Sequence, residues 1–244
     1  LTCFQKKVII NNRGVFDVFF FDYNPLVAII GDIKSSKQLE NRRAVQIRLK
    51  EVLDAVNHEY RDDIASKFMI TLGDEFQGLL KTGSSAIFII DKIEREMYPI
   101  QLRFGLGVGE ITTDINSNMP LGADGPAYYN ARKIIDELKA SEKKKMESKV
   151  NVKIEVQDNA DISELINTIF SLLTTIKETW TSRQVEIINS YLKTGGTQKD
   201  TARILNINQS NVQKALSSAN YYTYRKAIET IAKVLSDIKE DKDV

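Results

Sequence analysis

Apolar and polar positions along the chain follow two periods, and the changes of period divide it into elements. Leu26-Val27-Ala28-Ile29-Ile30 is an unbroken apolar run, the pattern of a strand covered on both faces, and it ends at Gly31-Asp32-Ile33. From Arg43 to Val56 the period is helical, with Val45, Leu49, Val52, Leu53 and Val56 on one face. Two short strand-like runs, 67–72 and 76–80, flank Gly73-Asp74-Glu75; this predicts a β-hairpin whose turn carries adjacent carboxylates pointing outward. A helix over 84–96, with Ala86, Ile87, Ile90 and Ile93 on one face, stops before Pro99, and a strand runs from Ile100 to Gly109. There Gly105, Gly107 and Gly109 share a face, leaving either a shallow channel for a ligand or room for a helix to pack tightly. A helix opens at Pro126 and continues through Ile134, Ile135 and Leu138. After the charge run 141–149, the strict alternation of 150–156 reads as a half-exposed edge strand.

Downstream the pattern is helical throughout. Between 162 and 178, Leu165, Ile169, Leu172, Leu173 and Ile176 form an apolar stripe suited to linking or pairing domains. A helix from Thr181 to Leu192 ends at Gly195-Gly196, and a compact pair of helices follows over 197–205 and 209–216. Ala202 permits a close crossing, Leu205 and Ile207 fill the turn, and Val212 with Leu216 anchors the second helix. The expected divisions are a leader or extra edge strand at 1–24, a first domain at 25–157, a linking helix at 158–180 and a second domain at 181–244. The aromatic stretch 15–22 is interrupted by Asp17 and Asp22 and falls short of the roughly 20 apolar residues a bilayer requires.

The candidate chemistry sits at the ends of two strands. Asp32 closes the first apolar run and Asp74 and Glu75 occupy the hairpin turn, so neighbouring strands in one sheet would bring these acids together. Hard oxygen donors at a sheet rim, beside a helix N-terminus offered by Lys34, Ser35 and Ser36, suit magnesium or manganese carried with a nucleoside triphosphate.

The order of these motifs is similar to that of the class III nucleotide cyclases and the GGDEF diguanylate cyclases. Gly31-Asp32-Ile33-Lys34-Ser35-Ser36, Gly73-Asp74-Glu75-Phe76-Gln77, the glycine-alternating strand 104–109 and Gly122-Ala123-Asp124-Gly125-Pro126-Ala127, in that order, resemble the SatD family. The resemblance implies an α+β fold, a palm-like βαββαβ domain followed by a small all-α helix-turn-helix domain. It implies metal ligation by Asp32, the Ile33 carbonyl, Asp74 and Glu75, a phosphate contact from Arg132, and a purine nucleoside triphosphate or cyclic nucleotide as ligand. Two positions depart from the cyclase pattern: Tyr128 stands where an asparagine is expected and Ile70 where a purine-reading lysine is expected. No catalytic residue is assigned, and little or no turnover is expected.

The helix pair at 197–216 resembles the helix-turn-helix of bacterial sigma factor region four. Thr197, Gln198, Lys199, Gln209, Ser210, Asn211, Gln213 and Lys214 are the residues that would meet duplex DNA, through amides suited to base edges and cations suited to phosphates. Whole-chain charge gives no hint of this, with 34 Lys and Arg against 33 Asp and Glu, but residues 179–236 hold eight Lys and Arg against three Asp and Glu. One Cys and one His exclude disulfide frameworks and zinc clusters and point to the cytoplasm; His58 reads as a helix residue without a catalytic role. Two function classes follow. The chain is either a DNA-binding regulator governed by a nucleotide-binding domain, with a second copy as a partner, or a metal-dependent nucleotidyl cyclase or nucleotidyltransferase docked through its helices.

Overall fold

The computed structural model describes residues 21, 23–142 and 150–238. The leader or edge strand expected over 1–24 thus falls, apart from residues 21, 23 and 24, outside the described residues, as does most of the charge run. The elements are β1 (Leu26–Ile33), α1 (Arg42–Glu59), β2 (Ile64–Leu72), β3 (Glu75–Leu80), α2 (Ala86–Met97), β4 (Leu102–Gly109), α3 (Pro126–Ser141), β5 (Val152–Val156), α4 (Ala160–Glu178), α5 (Ser182–Lys193), α6 (Gln198–Ile204), α7 (Gln209–Ser218) and α8 (Tyr221–Leu235).

The strands form one mixed sheet in the order β2-β3-β1-β4-β5. The most apolar strand, β1, lies at its centre, antiparallel to both β3 and β4, while β5 pairs parallel to β4 after the α3 crossover. Alternation sorts the side chains between two layers. Val27, Ile29, Ile33, Phe76, Phe104, Leu106 and Val108 face α1 and α2 in the larger core, whereas Ala28, Ile30 and Leu79 face Ala127, Tyr128, Ala131 and Ile135 of α3. Each large aliphatic group removed from water in this way contributes roughly 1.5–3 kcal/mol.

The glycine face of β4 is occupied by α3. A Cβ built on Gly107 would lie 2.0 Å from the Ala127 carbonyl oxygen, and one on Gly105 would lie 2.4 Å from that of Ala131. Of the two readings left open by the sequence, tight helix-on-sheet packing is therefore the one observed. The long connection 110–125 returns across β2 and β3, held by Ser66 Oγ donating to Asn116 O at 2.6 Å and Gln77 Nε2 to Pro120 O at 3.0 Å.

Two asparagines complete strands that lack a neighbour. Where β2 shifts register between Ser66 and Met69, Asn57 of α1 accepts from Phe68 N at 2.7 Å and donates to Phe68 O at 2.8 Å. At the outer edge of β5, Asn167 of α4 does the same for Ile154, at 2.8 and 2.9 Å, and covers an edge that would otherwise invite pairing.

The helices after α4 contribute to the main core as well as forming their own. Ile187, Ile188, Ala202, Val212, Leu216, Ala219 and Tyr221 make a cluster among α5, α6, α7 and the start of α8. Further along α8, Tyr224, Ile228, Ile231, Ala232 and Leu235 are buried in the same core as the sheet, against α2 and α4. No helix among the described residues is long and apolar enough to cross a membrane.

Candidate functional site

Strand register brings the acids together with cations the sequence reading did not select. Asp32 lies within β1, opposite Glu75 of β3 on one side and Arg103 of β4 on the other. All three project towards α3. Arg103 Nη1 donates to Asp32 Oδ2 at 2.9 Å, and its Nη2 donates to Glu142 Oε2 at 2.7 Å. Arg132 of α3 clamps Glu75 with two hydrogen bonds, of 2.5 and 2.7 Å. Lys139, two turns further along α3, reaches Asp32 at 3.4 Å and Glu75 at 3.9 Å. The Asp32, Glu75 and Arg103 side chains are under 10% exposed, while those of Arg132 and Lys139 are 42% and 38% exposed. The cluster is thus anchored inside and open on its cationic side.

Its electrostatics follow from that burial. The Asp32 carboxyl is pushed above its ordinary value because burial outweighs the attraction of Lys139 and Arg103, and the nearby Asp74 charge acts in the same direction as burial. The hydrogen bonds to Glu75 raise Arg132 further, so the guanidinium stays charged.

The other expected residues are placed differently. Glu75 turns inward onto the sheet, correcting the outward direction expected of both turn acids, because it is the first residue of β3 and already in register with Asp32. Asp74 stays in the turn beside Gly73, whose φ of 63° suits a residue without a side chain. Its carbonyl accepts from Ile33 N at 3.2 Å, and its carboxylate faces Arg42 at 3.9 Å. Lys34 points to the end of α3 and the start of β5, where it meets Asn151 Oδ1 at 2.5 Å and Glu142 Oε1 at 2.8 Å. Ser35 and Ser36 do not begin the long helix. Ser35 has φ 51° and precedes a short 3-10 turn, and α1 starts later, capped by Asn41 accepting from Ala44 N at 3.1 Å.

The donors as arranged do not fit a divalent cation. Asp32 and Glu75 are engaged by guanidinium and ammonium groups, and among the described residues no group of three or more His, Cys, Asp or Glu side chains gathers to hold a metal. Arg103, Lys139, Glu142 and Asn151 were missed by sequence reasoning. Two signals pointed to the cations: Arg103 is the one charged side chain in the stretch 102–109, on the glycine face, and Lys139 lies seven residues after Arg132, on the same face of α3.

Of the residues expected to meet DNA, Gln198, Gln209 and Gln213 are brought together. Gln198 of α6 donates to Gln213 of α7 and to Tyr222 Oη at 3.0 Å, and Tyr222 donates to Gln213 Oε1 at 3.1 Å. Gln209 reaches Gln198 at 3.5 Å. Thr197 precedes α6, and Lys199, Ser210, Asn211 and Lys214 are exposed.

The SatD family model matches residues 26–235, which is most of the chain and spans both the sheet and the helices after it. The chain belongs to the SatD family. No curated protein sequence matches this SatD-family member. Among solved structures, it is similar to a bacterial light-regulated adenylyl cyclase, at 14% identity and a TM-score of 0.39, over 53% of this chain and 74% of the other. It is also similar to the dimeric guanylyl cyclase domain of the RhoGC fusion protein from the aquatic fungus Blastocladiella emersonii, at 18% identity and a TM-score of 0.36, over 46% and 72%. A regulator of polyketide synthase expression from Bifidobacterium adolescentis matches 87% of the SatD-family chain and 80% of its own, at 13% identity and a TM-score of 0.25.

Proposed function

We propose that this SatD-family protein is a cytoplasmic DNA-binding regulator whose sheet domain senses a purine nucleoside polyphosphate without turning it over. The observation that carries the reading is the charge cluster itself: two buried carboxylates hold Arg132 and Lys139 at the surface of α3. A guanidinium with a planar fork and an ammonium within reach of one acid pair suit phosphate oxygens, which would compete with Glu75 for Arg132. Turnover lacks support on this arrangement. Tyr128, standing where the cyclase resemblance calls for an asparagine, is buried under the sheet and its hydroxyl has no partner among the described residues, so no amide donor is presented there. Loss of one preorganised donor costs about two to three orders of magnitude in rate.

On the DNA side, α6 and α7 are read as a helix-turn-helix. The amide network of Gln198, Gln209 and Gln213, with Lys199 and Lys214 exposed beside it, provides donors for base edges and charges for the backbone. The test is fluorescence anisotropy of duplex DNA titrated with the full chain at two salt concentrations, with and without ATP or GTP. Affinity is expected to fall steeply with salt, Lys214→Ala to reduce the salt slope by about 1, and Arg132→Ala to remove any response to nucleotide. Binding that ignores both salt and Lys214→Ala would count against the regulator. A cyclic or linked nucleotide formed with manganese by the parent protein and not by Asp74→Ala would promote the cyclase or nucleotidyltransferase in its place.

A further inference from the structure

A cavity of about 230 Å³ lies away from the charge cluster, where α2, the turn at 98–102, α4, α5 and α8 meet. Protein interiors are close-packed, and an apolar cavity of about 150 Å³ already admits benzene, so a void of this size stands out as a place for a ligand. Ile90, Leu173, Ile188 and Ile228 supply its aliphatic wall. Trp180 and Tyr224 supply an aromatic one, their rings edge to face with centroids 5.1 Å apart, an arrangement that a further planar ring can extend.

The polar groups define what kind of molecule fits. Asp91 is satisfied by Arg95 at 3.1 Å and by the Tyr224 hydroxyl at 3.3 Å, and Glu94 by Lys177 at 2.5 Å. Arg225 is held by Glu229 at 2.9 Å, and Glu178 is exposed to solvent at the rim, so a charged guest in the enclosed part of the cavity would be desolvated beside groups that are already paired. Asn189 differs. It is half-buried on the lining and its amide has no hydrogen-bond partner among the described residues, leaving a donor and an acceptor for a neutral polar substituent.

We infer that this cavity is a binding site for a small uncharged aromatic molecule, one ring bearing a hydroxyl or similar group that bonds to Asn189. The site lies where such a ligand can influence both halves of the molecule. Gln101 and Asn151 line the cavity, and they also hold Lys34, whose backbone N donates to Gln101 O at 2.9 Å and whose Nζ donates to Asn151 Oδ1 at 2.5 Å. On the opposite side the wall is built by α5 and α8, which carry the α6–α7 pair.

Benzyl alcohol is the probe, titrated into the full-length protein while the emission of Trp180, the only tryptophan, is excited at its red edge where benzyl alcohol does not absorb. A saturable change with a dissociation constant on the order of 1 mM is expected for so small a ligand, with benzoate and benzylamine at least about tenfold weaker. Leu173→Phe, which fills the cavity, is expected to abolish the change. Asn189→Leu, at a half-exposed position that does not threaten the fold, is expected to weaken benzyl alcohol about tenfold and leave toluene unaffected. The site is refuted by a non-saturable response, by charged analogues binding as tightly as the alcohol, or by Asn189→Leu leaving benzyl alcohol unchanged. Should Leu173→Phe fail to fold, the Asn189→Leu comparison decides alone.

Discussion

At the scale of single residues, the pairing of Asp32 with Arg103 is central to the candidate site. Arg103→Met leaves a buried carboxylate with only Lys139 nearby and leaves Glu142 to Lys34 alone, so urea unfolding should report a loss of about 3 kcal/mol. The double variant Arg103→Met with Asp32→Asn should recover part of that loss, because no charge is then left uncompensated. A second expectation concerns alkaline pH. Burial pushes the Tyr60 and Tyr221 hydroxyls up to about 12 from an ordinary value of 10. The folded state therefore holds these protons where the unfolded chain releases them. Their contribution is fully present below pH 10 and is lost as pH rises from 10 towards 12. Thermal melts across that range should fall, and should fall less for Tyr221→Phe; an equal decline would assign the loss elsewhere. The acids were legible in the sequence because adjacent carboxylates in an apolar setting are conspicuous. Their cationic partners were missed: the face of Arg103 and the spacing of Lys139 could be read locally, but their meeting at Asp32 depends on strand register and a helix crossing.

Among elements, α3 against β4 is the contact most sensitive to a small change. Gly107→Ala would force α3 away from the sheet, because the added methyl collides with backbone that cannot yield. The expected cost is about 3 kcal/mol, accompanied by loss of the Arg132–Glu75 clamp. Gly122→Ala is the control: nothing lies within 4 Å of its Cβ position, and only the φ of 91° is opposed, at about 1 kcal/mol. Equal effects of the two substitutions in equilibrium unfolding would show that α3 gives way more readily than its packing implies. The strands and helices themselves were largely readable from period alone, within a few residues at their ends. Period could not show which use the glycine face would serve, because a channel and a close-packed helix demand the same missing side chains. The late start of α1 escaped for a different reason: Ser35 and Ser36 are good cap residues in the abstract, but the chain turns there before Asn41 caps the helix.

Across the whole molecule, the helices after the sheet are joined to it through α8. Excising residues 179–236 would expose Tyr224, Ile228, Ile231 and Leu235 to water, so the fragment alone is expected to aggregate or lose cooperative melting where the full chain does not. A fragment that melts cooperatively at the temperature of the parent would contradict this. Tyr221, Tyr224, Ile228, Ile231 and Leu235 have the composition of core residues. Which core they enter depends on contacts across the length of the chain. That long reach sets the order of events in biosynthesis. Asp91 of α2 and Tyr224 of α8 touch across 133 residues of sequence, so a growing polypeptide that has already produced every strand still leaves the outer surface of α2 bare. Contacts of such separation form slowly. A ribosome pausing before the codon for Tyr221 would therefore hold a nearly complete sheet with a greasy flank, the species a chaperone or protease meets first, and the closing of α8 over α2 is the event that covers that flank.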